Sequence, residues 1–106
     1  MATIPQVLDA AIRHHEMGHL DQAAALYEQI IAAHPTHAEA LQLRGVIEHQ
    51  RGNHRRAIEI ITRAVNIKPR EAGFWCNLAE AQRASRDLGA AETSLRRAIE
   101  LSPNLA

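Results

Sequence analysis

Residues 35–69 read PTHAEALQLRGVIEHQRGNHRRAIEIITRAVNIKP, and the proline that bounds them recurs every 34 residues, at Pro35, Pro69 and Pro103. Inside that stretch Ala57 has counterparts at Ala23 and Ala91, and Val65 at Ile31 and Ile99. Gly52 repeats Gly18, and Arg86 stands where a third glycine would fall. A fixed period of this length means that each unit is one supersecondary element burying its apolar side against its neighbours. Such a stacked array offers a surface; it does not by itself offer a reaction.

Each period holds two helical patterns separated by a break. In the first unit Val7, Leu8, Ala11 and Ile12 recur at three- and four-residue steps, which makes one apolar face. Thr3 with Gln6 reads as a capping box, and Pro5 is tolerated in a first turn. Gly18 stops that helix, and Leu20, Ala23, Ala24, Tyr27, Ile30 and Ile31 form a second that ends at His34-Pro35. In the second unit Thr36 reads as the cap, with Glu39 three residues on. Leu41, Gly45 and Val46 mark its first helix, and Ala57, Ile61, Ala64 and Val65 its second. The third unit has Phe74, Trp75, Leu78 and Ala79, then Asp87 as N-cap, then Leu88, Ala91, Leu95, Ala98 and Ile99. No run alternates with period two for long enough to be a strand. The spacing predicts an all-α chain of six helices.

Composition agrees. Of 106 residues 46% are hydrophobic but only 3% aromatic (Tyr27, Phe74 and Trp75), so the interior is built from Ala, Leu, Ile and Val. Net charge is zero, which leaves no overall field to attract nucleic acid or an anionic membrane. The charge is uneven: residues 1–53 hold six acids against three arginines, net −3, and residues 54–106 six acids against nine bases, net +3. Cys76 is the single cysteine, so no intrachain disulfide forms. The first residues lack the pattern of a signal peptide, and no stretch approaches the ~18 apolar residues of a membrane helix. The expectation is a soluble, cytoplasmic protein.

These residues resemble the tetratricopeptide repeat, whose pattern is W-x2-L-G-x2-Y, then A-x3-F, then P. The third unit matches with Trp75, Leu78, Ala79, Ala91, Leu95 and Pro103. The second matches with Leu41, Gly45, Ala57, Ile61 and Pro69, and the first with Val7, Ala11, Ala23, Tyr27 and Pro35. Ala10 and Arg44 depart from the usual leucine, and His14, Glu48 and Gln82 from the usual tyrosine. The resemblance implies an α-α superhelix of three antiparallel helix-turn-helix units, 4–37, 38–71 and 72–105, in one repeat domain spanning 1–106. Asn104 falls in the phase of Thr36, and Ala106 in the phase of Ala38 and Ala72, so the sequence stops where a fourth unit would begin. The expectation is a fragment of a longer protein whose last helix leaves Leu88, Leu95 and Ile99 uncovered.

His15-Glu16-Met17-Gly18-His19 fits the H-E-x-x-H zinc signature, which needs both histidines on one helix. Gly18 breaks that helix, and the equivalent His49-Gln50-Arg51-Gly52-Asn53 has lost the motif while keeping the break. Neither a metal site nor a catalytic constellation is expected, nor any cofactor; Cys76 reads as a groove-facing or half-buried free thiol. Arg51, His54, Arg55 and Arg56 form a basic cluster that reads as a solvated edge paired with Glu48 and Glu59 rather than a nucleic-acid site.

The resemblance implies that the first helix of each pair lines a concave groove holding a peptide. Carried over by phase, the lining is Asp9, Ile12, His15 and Glu16, then Gln42, Leu43, Val46, His49 and Gln50, then Cys76, Asn77, Glu80 and Arg83. The places that grip a C-terminal carboxylate in chaperone-type repeats are Leu8, Ile12, Leu43, Gly73 and Asn77 here, of which only Asn77 fits. The asparagine ladder of repeats attached to O-linked glycosyltransferases becomes Asp9, Leu43 and Asn77, again one in three. Residues 98–106 and 77–79 nonetheless resemble that subfamily's wording. The function implied is a non-catalytic protein-protein interaction module, with another protein or peptide as partner and neither nucleic acid nor membrane. Homo-oligomeric assembly through the uncapped ends, and a substrate-recruiting arm of a larger transferase, are the alternatives.

Overall fold

The chain was analysed as a computed structural model, which describes residues 2–104. Six α-helices follow in order: α1 (Ile4–Glu16), α2 (Leu20–Ala33), α3 (Ala38–Gln50), α4 (His54–Ile67), α5 (Ala72–Ala84) and α6 (Leu88–Leu101). No strand occurs among the described residues. Packing is between neighbours in sequence, α1 on α2, α3 on α4 and α5 on α6, with α2 on α3, α4 on α5 and α3 on α5 joining the pairs. The result is a solenoid of three helical hairpins measuring 43 × 26 × 23 Å. Leu105 and Ala106, where the third unit was expected to end and a fourth to begin, lie outside the described residues.

The breaks arise where expected. Gly18 (φ 80°) and Gly52 (φ 86°) take the left-handed conformation, and Arg86 takes it too at φ 66°. At each turn two bonds close the helix end: His19 N–H to His14 C=O and Gly18 N–H to His15 C=O in the first, with equivalents at 48–53 and 82–87. Glycine enters this region without a side-chain clash, whereas a residue with a Cβ is strained there by roughly 1–2 kcal/mol.

The caps hold with one exception. Thr3 and Gln6 form the reciprocal capping box, and Asp87 accepts the Ala90 amide at 3.4 Å. Thr36 is not the second cap: it lies in the turn, and His37 caps α3 by accepting the Ala40 amide on Nδ1 at 3.1 Å. The Thr-x-x-Glu pattern is outcompeted because the turn after Pro35 runs one residue longer.

Alanines bring the axes together. Ala11, Ala23, Ala57 and Ala98 are fully buried, and Tyr27, Ile30, Ile47, Ile61 and Val65 fill the space they leave. At Gly45 the approach leaves no room for a side chain: a Cβ there would lie 2.5 Å from Cγ1 of Ile61 and 3.4 Å from the Ala57 carbonyl oxygen. The Trp75 indole donates to the Pro69 carbonyl at 2.8 Å and anchors α5 to the preceding turn.

Each polar departure at the usual tyrosine position finds a partner. His14 meets His19 at 3.3 Å between Nδ1 atoms, and Gln82 accepts from the Ser94 hydroxyl at 2.7 Å. Glu48 is buried and accepts from Arg44 Nη1 at 2.6 Å and Asn53 Nδ2 at 2.7 Å. Burial alone would raise its pKa, but these hydrogen bonds with the Arg44 and Arg51 charges win and hold it below the ordinary 4.5. Arg44 also donates to Glu28 at 2.7 Å and Arg51 to Asp21, so the network ties α2 to α3.

The far end of the array is apolar and open, with Leu88 65%, Leu95 44% and Ile99 51% exposed. Tyr27 and Ile61, the phase-mates of Leu95, and Val65, a phase-mate of Ile99, are buried, because each of those has a following helix pair against it.

Strain at Arg86 is removable. Arg86→Gly should raise the unfolding free energy by about 0.5–1 kcal/mol, relief of left-handed strain being offset by the greater freedom of unfolded glycine. Urea titration checks it; a loss of stability would show that the Arg86 side chain outweighs its backbone.

Candidate functional site: the cavity between the first helices

The first helices of the first two pairs are bridged by side chains. His15 on α1 reaches Gln50 on α3, its Nε2 2.8 Å from Oε1. The other ring nitrogen, Nδ1, lies 3.1 Å from the Tyr27 hydroxyl, which comes through from α2. Both ring nitrogens of His15 are thus engaged, one by the Gln50 side chain and one by the Tyr27 hydroxyl. Above this chain lies a cavity of about 520 Å³ lined by Ile12, His15, Glu16, Tyr27, Glu39, Leu43 and Gln50. Burial pushes the Tyr27 phenol up to about 12, and the Glu39 and Glu16 carboxylates add to the shift. Tyr27 therefore remains a proton donor.

Of the residues expected on the groove, Ile12, His15, Glu16, Leu43 and Gln50 come together at this cavity. Asp9, Glu80 and Arg83 are exposed, and Val46, His49, Cys76 and Asn77 half-buried. Glu80 and Arg83 are paired at 2.8 Å. Both act on His49, whose pKa is lowered by burial first and then by His54, with Nδ1 atoms 2.9 Å apart. Cys76 is raised by burial and by Glu80, so it stays a thiol.

Gln42 is a correction. Only 4% exposed, it does not line a groove, because α3 is enclosed by α2, α4 and α5 where its phase-mate Leu8 on the terminal helix is not. Tyr27 and Glu39 line the cavity although the sequence pattern placed one in the core and the other in a cap. Repeat phase points only to the inward face of first helices, so a hydroxyl passing through from a second helix carries no signal in it.

The H-E-x-x-H residues are divided as the break required. His15 is in α1, whereas His19 is the N-cap residue of α2 and bonds His14. Among the described residues no group of three or more His, Cys, Asp or Glu side chains is arranged to hold a metal ion. The basic cluster borders an open concavity of about 490 Å³ with Glu59 and Ser85. Arg56 pairs with Glu59 at 3.2 Å and Arg51 approaches Glu48 at 4.0 Å. Among the described residues no helix is long and apolar enough to cross a membrane.

Comparison with known proteins agrees with this architecture. Tetratricopeptide repeat models match residues 8–72 and 72–105. Human tetratricopeptide repeat protein 7B is 32% identical over 84 residues, which is 79% of this chain and 10% of that protein. A mutant O-GlcNAc transferase from Thermobaculum terrenum superposes with a TM-score of 0.94 at 29% identity, over 99% of this chain and 21% of the transferase chain. The first such domain of Spaghetti (RPAP3), solved with an HSP90 peptide, superposes with a TM-score of 0.91 at 19% identity, over 95% of this chain and 80% of that one. This chain thus spans a small part of the human protein and of the transferase. With its period, helical hairpins and left-handed turns, it belongs to the tetratricopeptide repeat family.

Proposed function

We propose that this chain is a non-catalytic interaction module that binds an extended or helical segment of another protein along α1, α3 and α5. The observation that carries the reading is the cavity between α1 and α3, apolar at Ile12 and Leu43 with polar groups converging from His15, Tyr27, Glu16, Glu39 and Gln50. Pockets that hold ligands combine apolar walls with a few placed polar groups in this way. The HSP90 peptide held by the Spaghetti domain supports the same use of the fold. Identity with a stretch of O-GlcNAc transferase supports placing the module as a substrate-recruiting arm of a larger transferase. A photo-crosslinking side chain at Val46 in the groove, and separately at Arg63 on α4, tests the surface in extracts of the source cells. Val46 should capture a protein that Arg63 does not. The crosslinked segment, made as a synthetic peptide, should bind the unmodified chain and lose about tenfold in affinity to Val46→Glu, a change of about 1.4 kcal/mol. Equal capture from both positions, or no loss with Val46→Glu, would overturn the groove as the binding surface.

A second reading rests on the open stripe of Leu88, Leu95 and Ile99. Burying apolar area is worth roughly 25 cal/mol per Å². The two halves also carry net charges of −3 and +3, which favours the acidic start of one copy against the basic end of another. Sedimentation at ~100 µM, far above the ~1 µM dissociation constant that about −8 kcal/mol of binding gives, should then show association that weakens with salt. A strict monomer at both low and high ionic strength would dispose of it.

A further inference from the structure

We propose that the cavity between α1 and α3 is a subsite for one basic side chain, lysine or arginine, of the bound segment; this rests on the groove reading above. The cavity's lining carries two carboxylates, Glu16 and Glu39, and neither lysine nor arginine. The neighbouring acids are already neutralised: Asp21 is paired with Arg51, Glu28 with Arg44, and Glu48 with both arginines. Glu16 and Glu39 take part in no ion pair among the described residues. His15 is already engaged on both ring nitrogens, by the Tyr27 hydroxyl at 3.1 Å and the Gln50 side chain at 2.8 Å. The site is therefore concave and holds two carboxylates with no lysine or arginine to balance them.

The apolar walls narrow the choice further. Ile12 and Leu43 are half-buried and present hydrocarbon to the cavity. Long basic side chains lay an alkyl stem on such surface while the charged head stays with polar partners. A volume of about 520 Å³ falls within the ~300–1,000 Å³ of pockets that hold ligands. An acidic side chain would meet two like charges, and an aliphatic one would cover Ile12 and Leu43 while desolvating carboxylates without a partner, which is costly. Only a cation satisfies both parts of the lining. The longer-range field has the same sense, since residues 1–53 carry a net charge of −3. Glu80 and Arg83 in the third unit neutralise each other, so the preference is confined to the first two pairs.

A phage-displayed library of random dodecapeptides, selected on the full chain, supplies the test. Selected peptides are synthesised, their contacts mapped by backbone amide shifts, and their affinities measured against Glu16→Gln and Glu39→Gln. Both residues are exposed, so the substitutions leave the core intact. Expected are peptides enriched in lysine or arginine at one position that shift the amides of His15, Leu43 and Gln50. Their affinity should fall about three- to fivefold for each variant, in the range of a partly exposed ion pair, and norleucine in place of the basic residue should abolish the sensitivity to both. Peptides that shift those amides without basic enrichment, or that bind both variants as well as the parent, would overturn the subsite and leave the groove reading standing. If no selected peptide shifts a groove amide, both fall.

Discussion

The structure depends on how closely α3 can approach α4. At Gly45 the two helices are so near that a single added carbon would strike Cγ1 of Ile61. Ile61 is fully buried and also packs with Ala57, Val65, Leu78 and Ala81 toward α5. The contact within the second pair thus sets where the third pair docks. Ala11 and Ala79 occupy the same phase in the outer pairs and are likewise buried, so a small residue on each first helix is the shared device. Interiors are close-packed, and a pair of helices built this way has two fixed faces rather than a range of them. One of these faces accepts the next pair.

The cavity follows from that arrangement. Each second helix packs against the first helix of the next pair, and His15 on α1 bridges to Gln50 on α3. Tyr27 serves both layers. Its ring is buried within the first pair, and its hydroxyl emerges at the floor of the cavity to hold His15. Arginine-carboxylate pairs also tie this joint, with Arg44 on α3 and Arg51 just after it reaching Glu28 and Asp21 on α2. These pairs neutralise the acids of α2 and leave Glu16 and Glu39 free to define the sign of the cavity.

Much of the fold is legible in the chain because the determinants are local and repeated. Gly18 and Gly52 announce their turns, and Arg86 is identified as a third only through the period. The exposed stripe at Leu88, Leu95 and Ile99 is visible for the same reason, since the phase says what ought to cover it. The candidate site is less legible. Gln42 shares its phase with half-buried Leu8 and Cys76, yet sinks because α3 has neighbours on more sides. Tyr27 and Glu39 enter the cavity through side-chain reach across helices, which a one-dimensional period does not encode. His37 displaces Thr36 as a cap through the geometry of one turn. Repetition encodes the scaffold, and the departures from it make this groove particular.

A double-mutant cycle between Gly45 and Ile61 tests the central contact most directly. In an open helix interior, glycine to alanine gains about 1 kcal/mol from helix propensity. If the approach of α3 to α4 is as close as described, Gly45→Ala should instead lose about 1 kcal/mol in urea unfolding, overpacking outweighing propensity. In an Ile61→Ala background, where the obstructing carbon is gone, the same substitution should change sign and stabilise by about 1 kcal/mol. A gain of that size from Gly45→Ala in the parent chain, unchanged by Ile61→Ala, would contradict the account.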